Sequence, residues 1–334
     1  MHPVLALFKR NAWATEQLLE FCAGRPELTA PAEDDVYGTI EATFNHIVGA
    51  EAGYARLITG HLPVRVRESR AAVELLEPGR LIAEGWLEVL STERDLEVVL
   101  PFQRGRDPEV MSDWLPLVQC VHHGDDHRAQ IGTLLSRHGI EPPDLDGWSY
   151  GEVGTGDAAP HAWWDALLGR FFRHHFWATE QLLERCRDLS PEQLAFSAPG
   201  TYGSIEATLD HLVSADRTIF SRATGGGRQP ALDAGGPGPL LEHFARQRQG
   251  WEAYLASKPD FESRIDREGV LIPVWVIVLQ AIHHGNDHRT NVGTALLRQG
   301  LEAPEIDVWA YAWQDGALRP LPAGAGPPPA GWGS

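Results

Sequence analysis

Apolar residues recur at steps of three and four along four segments of the N-terminal half, the spacing that places them on one helical face. These segments run from Val4 to Cys22, from about Thr39 to Thr59, from about Gly79 to Val99, and from about Ser112 to His138. Gly139 and Pro142 indicate where the fourth helix ends. We find no convincing alternating strand between the segments, so the pattern predicts an all-α four-helix bundle.

The whole pattern occurs twice in the chain. Trp13–Glu20 returns unchanged as Trp177–Glu184, Tyr37–Thr43 returns nearly unchanged as Tyr202–Thr208, and Gln119–Arg128 returns in modified form as Gln280–Arg289. Three ordered matches at almost constant spacing predict two tandem four-helix bundles, packed as a pseudo-dimer about an approximate two-fold axis. We therefore divide the chain into a first copy at 1–150, a linker at 151–161, a second copy at 162–318 and a Pro/Gly-rich tail at 319–334.

Composition narrows the class of protein. The chain has 334 residues, of which 43% are hydrophobic, and a formal net charge of −18. This acidic surface disfavours nucleic acids and anionic membranes as partners. No apolar run reaches the length of a transmembrane helix, and the apolar part of the N-terminus is too short for a signal peptide. We therefore expect a cytoplasmic protein that acts on a small molecule, with its further oligomeric state left open.

The three cysteines do not indicate a disulfide framework. Cys22, Cys120 and Cys186 are odd in number and form no CxxC motif. Cys22 and Cys186 occupy matching positions of the repeat, and we interpret them as small buried residues.

Histidines carry the candidate chemistry. His123 and His127 lie one helical turn apart on the fourth predicted helix, and His284 and His288 repeat this spacing. The second predicted helix of each copy adds one more histidine, His46 or His211. Three imidazoles from two facing helices can bind a divalent transition metal and leave a coordination position open, as catalytic sites do. An all-nitrogen site fits zinc, nickel, copper or iron, and the sequence does not choose among them.

Several neighbours of these histidines are also duplicated. His122 and His283 lie about 100° around the helix from their neighbours, so we interpret them as packing or supporting residues rather than ligands. Two alternatives stand for the acids and the arginines. Asp126 and Asp287 form ion pairs or orient a ligand imidazole, and Arg128 and Arg289 form ion pairs or hold an anionic substrate group. These four residues, Asp126, Arg128, Asp287 and Arg289, are our candidates for roles in catalysis.

The motifs resemble those of the DinB-like metal-binding four-helix-bundle proteins. The resemblance rests on Asn45-His46 with His123-Gly124-Asp125-Asp126-His127-Arg128-Ala129-Gln130, and on Asp210-His211 with His284–Asn291. It covers each copy nearly end to end, and the second copy departs from the motif at Asp210 and Asn291. It implies His46, His123 and His127 as metal ligands in the first copy and His211, His284 and His288 in the second.

The resemblance also implies a chemistry. Characterised members of this group are transferases and isomerases that depend on a small thiol such as mycothiol or bacillithiol. We therefore predict a metal-dependent small-thiol S-transferase or isomerase, with one divalent ion per copy and a low-molecular-weight thiol as cosubstrate. The alternatives are a non-catalytic, stress-associated metal-binding protein, a metal-dependent hydrolase, and a chain in which one copy works and the other is a scaffold.

Overall fold

The computed structural model describes residues 1–25, 28, 38–61, 64, 66, 71–103, 108–156, 158–232, 235–267 and 269–321. Within these residues each copy, called a repeat below, has four long helices, as predicted. In the first repeat they are α1 (Pro3–Ala23), α2 (Ile40–Thr59), α3 (Ala72–Leu90) and α4 (Trp114–Arg137). In the second repeat they are α6 (Ala162–Cys186), α8 (Ile205–Ala223), α9 (Pro237–Ala256) and α10 (Val274–Arg298).

Short elements connect and extend these helices. They are β1 (Val99–Gln103), β2 (Pro108–Ser112), α5 (Gly147–Val153), α7 (Pro191–Leu194), β3 (Arg264–Arg267), β4 (Val270–Pro273), α11 (Val308–Asp315) and β5 (Leu318–Pro320). The fold is all-α in class, with small antiparallel sheets beside the bundles. The predicted boundary after residue 150 falls inside α5, and the predicted tail begins within β5. The remainder of that tail, residues 322–334, lies outside the described residues.

Local chemistry explains where the second helix of each repeat begins. The hydroxyl of Thr39 accepts a hydrogen bond from the backbone N–H of Ala42, and Ser204 caps α8 in the same way through Ala207. These oxygens satisfy one of the backbone donors that the first helical turn leaves unpaired. Thr39 is therefore the N-cap that the sequence predicts.

The expectation that no strands connect the helices is wrong. In each repeat an antiparallel hairpin joins the third helix to the fourth, β1–β2 in the first and β3–β4 in the second. Strand β5 comes from the second repeat and pairs with β2 of the first. These strands have only three to five residues, too few to show a period of two in the sequence.

The third helix of the first repeat also differs from its prediction. It begins at Ala72 rather than near Gly79 and ends at Leu90 rather than near Val99. Pro78 lies inside it, although proline usually marks a helix end. The buried residues Leu75, Ile82 and Trp86 continue one apolar face across the proline, so tertiary packing outweighs the local cost.

The two repeats contact each other through reciprocal interactions. Helix α4 packs on α10, α5 packs on α10, and α11 packs on α4. The side-chain oxygen of Gln119 accepts a hydrogen bond from the backbone N–H of Val308 at 3.1 Å, and Gln280 accepts one from Gly147 at 2.7 Å. Each repeat thus holds the first turn of the other repeat's last helix, a reciprocity typical of an isologous interface.

A continuous apolar core runs through both repeats, and its largest fully buried side chains are Trp114, Trp164 and Trp251. In the described part of the chain no helix combines the length and the apolar character needed to span a bilayer.

Candidate metal centre

The structure brings together the three predicted histidines of the first repeat. His46 on α2 and His123 on α4 place their Nε2 atoms 2.9 Å apart. The His127 ring lies 4.7 Å from the His46 ring and 4.3 Å from the His123 ring, measured between centroids. One potential ligand atom from each residue lies within 4.8 Å of the other two. His46 is exposed rather than buried on the inner stripe of α2, so solvent reaches this cluster from one side.

The second repeat forms the same cluster. His211 on α8 and His284 on α10 place their Nε2 atoms 3.0 Å apart, and His288 lies 4.7 Å from His211 between ring centroids. His288 is buried, whereas His211 and His284 are half-buried. Two helical segments therefore generate each cluster: an i,i+4 pair on the fourth helix and a single histidine on the second.

Desolvation favours the neutral imidazole, the form that binds metals, in both clusters. Partial desolvation lowers the pKa values of His46 and His211, and deeper burial holds those of His123 and His284 well below the usual range. It also lowers the pKa of His288 to about 3. A neutral imidazole offers a lone pair, whereas a protonated one offers none.

The residues present fit a divalent transition metal. Nitrogen atoms about 3 Å apart can both lie at about 2.0–2.1 Å from one ion. The Nδ1 atoms of His123 and His288 are buried without a hydrogen-bond partner among the described residues. An all-nitrogen set suits zinc, nickel, copper or iron.

A hydrogen-bond chain supports the first cluster. Nδ1–H of His127 donates to Oε1 of Gln130 at 2.6 Å, and Nε2 of Gln130 donates to Oδ2 of Asp126 at 2.9 Å. Asp126 therefore acts on a candidate ligand through Gln130 rather than by direct contact. Thr290 on α10 donates to the other oxygen of Asp126. Gln130 belongs to the quoted motif, but no pattern in the sequence indicated Thr290.

The second cluster has a different support. Asn291, which occupies the position of Gln130, donates to the backbone oxygen of Asp287 at 2.8 Å and accepts from the backbone N–H of Tyr202 at 3.0 Å. The Tyr202 ring stacks on His211 with centroids 4.4 Å apart and meets His288 edge-on at 4.9 Å. The equivalent Tyr37 lies outside the described residues.

An aromatic wall borders the first cluster. Tyr54 on α2 meets the ring of His123 edge-on, with ring centroids 5.5 Å apart. Behind it lies Trp309 of the second repeat, which stacks on Phe102 with centroids 5.1 Å apart. Ile219 occupies the position of Tyr54 in the second repeat, so the two clusters differ in their walls. The position of Tyr54 on the inner stripe of its helix was the signal that could have revealed this role.

His122 and His283 lie at the contact between the repeats, away from the clusters. Nδ1 of His122 donates to the side-chain oxygen of Asn286 at 3.1 Å, and His283 lies 3.3 Å from Asp125. These contacts agree with the packing role expected from their place on the helix.

Arg128 forms an ion pair and hydrogen bonds within the protein, and Arg289 forms hydrogen bonds within the protein. Arg128 donates to Thr15 at 2.8 Å and to Asp125 at 2.7 Å, and Arg289 donates to Thr179 at 2.9 Å. Both side chains are buried. A substrate carboxylate would have to displace these partners, so the geometry favours an ion pair for Arg128, and internal hydrogen bonds for Arg289, over anion binding.

The cysteines are buried in both repeats. Burial raises the pKa of Cys22 to about 11 and of Cys186 to about 12, and holds that of Cys120 well above its usual range. Because the thiolate is the reactive form, none of them supplies a nucleophile near pH 7.

A cleft of about 680 Å³ lies between the repeats beside the support of the first cluster, and its lining includes Asp126, Gln130, Thr290, Trp309 and Trp313. A related cleft of about 510 Å³ lies beside Asp287 and Asn291.

Comparison with known proteins finds a family match within the second repeat. A model described as the DinB family matches residues 165–321, which include the whole second cluster. The second repeat belongs to the DinB family. The first repeat is DinB-like through its internal similarity to the second. A solved DinB-like protein from Bacillus cereus ATCC 10987 is 19% identical, with a TM-score of 0.35, and the match covers 42% of this chain and 95% of that protein. No curated protein is significantly similar to the chain.

The family match therefore lies in the second repeat, and each repeat contains a three-histidine cluster that could hold a metal ion. Both DinB-like repeats retain all three histidines.

Proposed function

We propose that the protein is a metal-dependent small-thiol S-transferase or isomerase, with one divalent ion held by the three histidines of each repeat. The observation that carries this proposal is the convergence of three imidazoles beside solvent, with His46 exposed and the pKa of His123 held well below the usual range by burial. When bound, the ion supplies a Lewis acid that lowers the pKa of a coordinated thiol or water. Zinc or nickel is the ion we expect.

The residues of the chain provide binding and orientation. His46, His123 and His127 would hold the ion in the first repeat, and His211, His284 and His288 in the second. Tyr54 packs against His123 and keeps water from that side of the ring. Burial raises the pKa of its hydroxyl to about 12, so this group remains protonated at neutral pH, and its oxygen accepts a hydrogen bond from Nε2 of Gln119 at 3.5 Å.

The buried cysteines favour a thiol cosubstrate over a cysteine of the chain. Their raised pKa values leave no internal thiolate for a nucleophilic step. A small thiol that enters beside the exposed His46 would meet the site from solution. Its S–H proton passes to the solvent, its sulfur forms a bond to the electrophilic carbon, and the bond from that carbon to the displaced group breaks, with the displaced group taking the electron pair.

The first measurement is the metal content of protein purified without chelators. Wild type should contain about two divalent ions per chain, His127→Ala and His288→Ala about one each, and the double variant none. His138→Ala is a matched control, because this histidine ends α4 outside both clusters. If wild-type protein binds no metal after incubation with excess zinc or nickel, the proposal is contradicted.

The second measurement is thiol consumption with a model electrophile across several small thiols. Metal-loaded wild type should exceed the double variant by at least about 100-fold, because general acceleration by a bound Lewis acid is worth several kcal/mol. Equal rates would refute transferase activity and leave the non-catalytic alternative. Hydrolysis of the electrophile without thiol would indicate a metal-dependent hydrolase.

A further inference from the structure

The hydrogen-bond chain beside the first cluster begins on the other repeat. The hydroxyl of Thr290 on α10 donates to Oδ1 of Asp126 on α4. Oδ2 of Asp126 accepts from Gln130, and Gln130 accepts from His127. Thr290 and Gln130 are both buried, and Asp126 is half-buried. A residue of the second repeat thus reaches a candidate metal ligand of the first through two side chains.

The chemistry of each group sets the direction of this chain. An ionised carboxylate only accepts hydrogen bonds, so Gln130 must turn its amide NH₂ toward Asp126 and its carbonyl toward His127. A carbonyl oxygen in turn requires a donor, which is Nδ1–H of His127. This tautomer leaves the lone pair on Nε2, the atom available to a metal ion.

The second cluster lacks both supporting groups. Ala129 occupies the position of Thr290 and offers no hydroxyl, and Asn291 is one methylene shorter than Gln130. Both hydrogen-bonding ends of Asn291 are used elsewhere, on Asp287 and on the backbone of Tyr202. Nδ1 of His288 is buried without a hydrogen-bond partner in the described part of the chain. No hydrogen bond to Nδ1 from the described residues therefore fixes its tautomer.

We propose that Thr290 is a positioning residue for the metal site of the first repeat, acting through Asp126 and Gln130 on His127. As a consequence, the two sites of the chain bind a divalent ion with unequal affinity, and the first site is the tighter one. This inference rests on the metal-binding part of the proposed function. Groups that orient a ligand histidine typically change metal affinity by about 10–100-fold.

Single-site proteins measure the two affinities separately. The His288→Ala protein keeps only the first site, and the His127→Ala protein keeps only the second. Zinc is titrated into each against a chromophoric chelator at pH 7.5. We expect the first site to bind zinc about 10–100-fold more tightly. Equal affinities, or a tighter second site, overturn the inference but leave the proposed function intact. No zinc binding at either site refutes both.

Substitutions in the hydrogen-bond chain show which residues belong to it. In the His288→Ala protein, Gln130→Asn copies the second repeat and should weaken zinc binding about 10-fold or more. Thr290→Val removes only the hydroxyl and should weaken zinc binding several-fold. In the His127→Ala protein Thr290→Val should leave zinc binding unchanged, although Thr290 lies two residues from His288. Thr133→Val, which removes a hydroxyl bonded within α4, is the control and should change neither site.

The tautomer itself gives a readout that general destabilisation would not produce. In metal-free protein, imidazole ¹⁵N shifts should show His127 as the Nδ1–H tautomer and His288 as a mixture. Thr290→Val and Gln130→Asn should convert His127 to a mixture while the amide spectrum stays folded. A pure Nδ1–H form of His127 in both variants, or a loss of zinc affinity equal at the two sites, would show that Thr290 does not position the ligand.

Discussion

At the scale of single residues, equivalent buried positions of the two repeats carry different chemistry. In the first repeat Asn11 donates to Glu51 at 2.9 Å, and in the second His175 lies 3.5 Å from Asp216. These residues contact Arg128 or Arg289 on the helix that carries two of the histidines. Burial raises the pKa of Glu51 to about 7, with Arg128 and Asn11 opposing the shift. The carboxyl therefore titrates near neutral pH.

The free energy of unfolding should depend on pH because Glu51 titrates in this range. The folded pKa of Glu51 lies above its ordinary value of 4.5, so the folded state binds more protons between pH 4.5 and about 7. This excess proton binding stabilises the folded state below pH 4.5, and the stabilisation is lost as the pH rises through about 7. Glu51→Gln lacks this dependence. From pH 4.5 to pH 8 the unfolding free energy of Glu51→Gln should therefore rise, relative to that of wild type, by on the order of 3 kcal/mol. Urea unfolding of metal-free protein measures it.

The matched control is Glu88→Gln, at an exposed position of α3. Its difference from wild type should stay constant over the same pH range. A constant difference for Glu51→Gln as well would show that this carboxyl titrates normally.

At the scale of elements, a glycine on the fourth helix of each repeat permits a close helix crossing. A Cβ atom at Gly124 would overlap the side chain of Asn11 on α1 and lie 3.1 Å from Glu51 on α2. A Cβ atom at Gly285 would overlap the ring of His175 on α6. Each glycine directly follows a histidine of the cluster, so a larger side chain here would shift the backbone that carries a candidate ligand.

Gly124→Ala should therefore destabilise the protein by about 1–3 kcal/mol, as overpacking of a core does. Gly132→Ala is its control on the same helix, since no atom lies within 4 Å of the added methyl group. It should stabilise the protein by about 0.5–1 kcal/mol through helix propensity. Thermal unfolding of both proteins measures these changes in stability. A Gly124→Ala protein as stable as wild type would show that α1 and α4 can separate without cost.

At the scale of the whole molecule, equivalent residues meet where α4 crosses α10. Asp125 and Asn286 hold the same position in the two repeats, and the amide of Asn286 donates to Asp125 at 3.0 Å. Arg10 and Arg128 pair with Asp125. Burial alone would raise the pKa of Asp125, but Arg10, His283 and Arg128 hold it well below the usual range. Two aspartates here would place two carboxylates in contact, so an identical pair of first repeats could not form this interface unchanged.

Asn286→Asp tests this asymmetry. Like charges buried together should cost roughly 3 kcal/mol of unfolding free energy at pH 7. The cost should fall at pH 5, where one carboxyl takes up a proton. Gln181→Glu adds the same charge at an exposed position of α6 and should cost less than about 0.5 kcal/mol. An unfolding curve of Asn286→Asp that matches wild type at pH 7 would refute the argument.

The long helices and the histidine clusters could be predicted because their signals are local or repeated. The i,i+4 spacing of His123 and His127 places both rings on one face by helix geometry alone. Duplication of the pattern identified His46 and His211 without any knowledge of packing. Thr39 as an N-cap and the burial of Cys22 and Cys186 likewise follow from neighbouring residues.

Only the tertiary structure decided the features that join distant residues. Strand β5 pairs with β2 across the boundary between repeats, and three residues without their partner strand have no recognisable period. Pro78 within α3 depends on the apolar face that continues past it. Arg128 could equally have faced a substrate, until packing placed it against Thr15 and Asp125. Thr290 reaches Asp126 because α4 crosses α10, a contact that no spacing along the chain encodes.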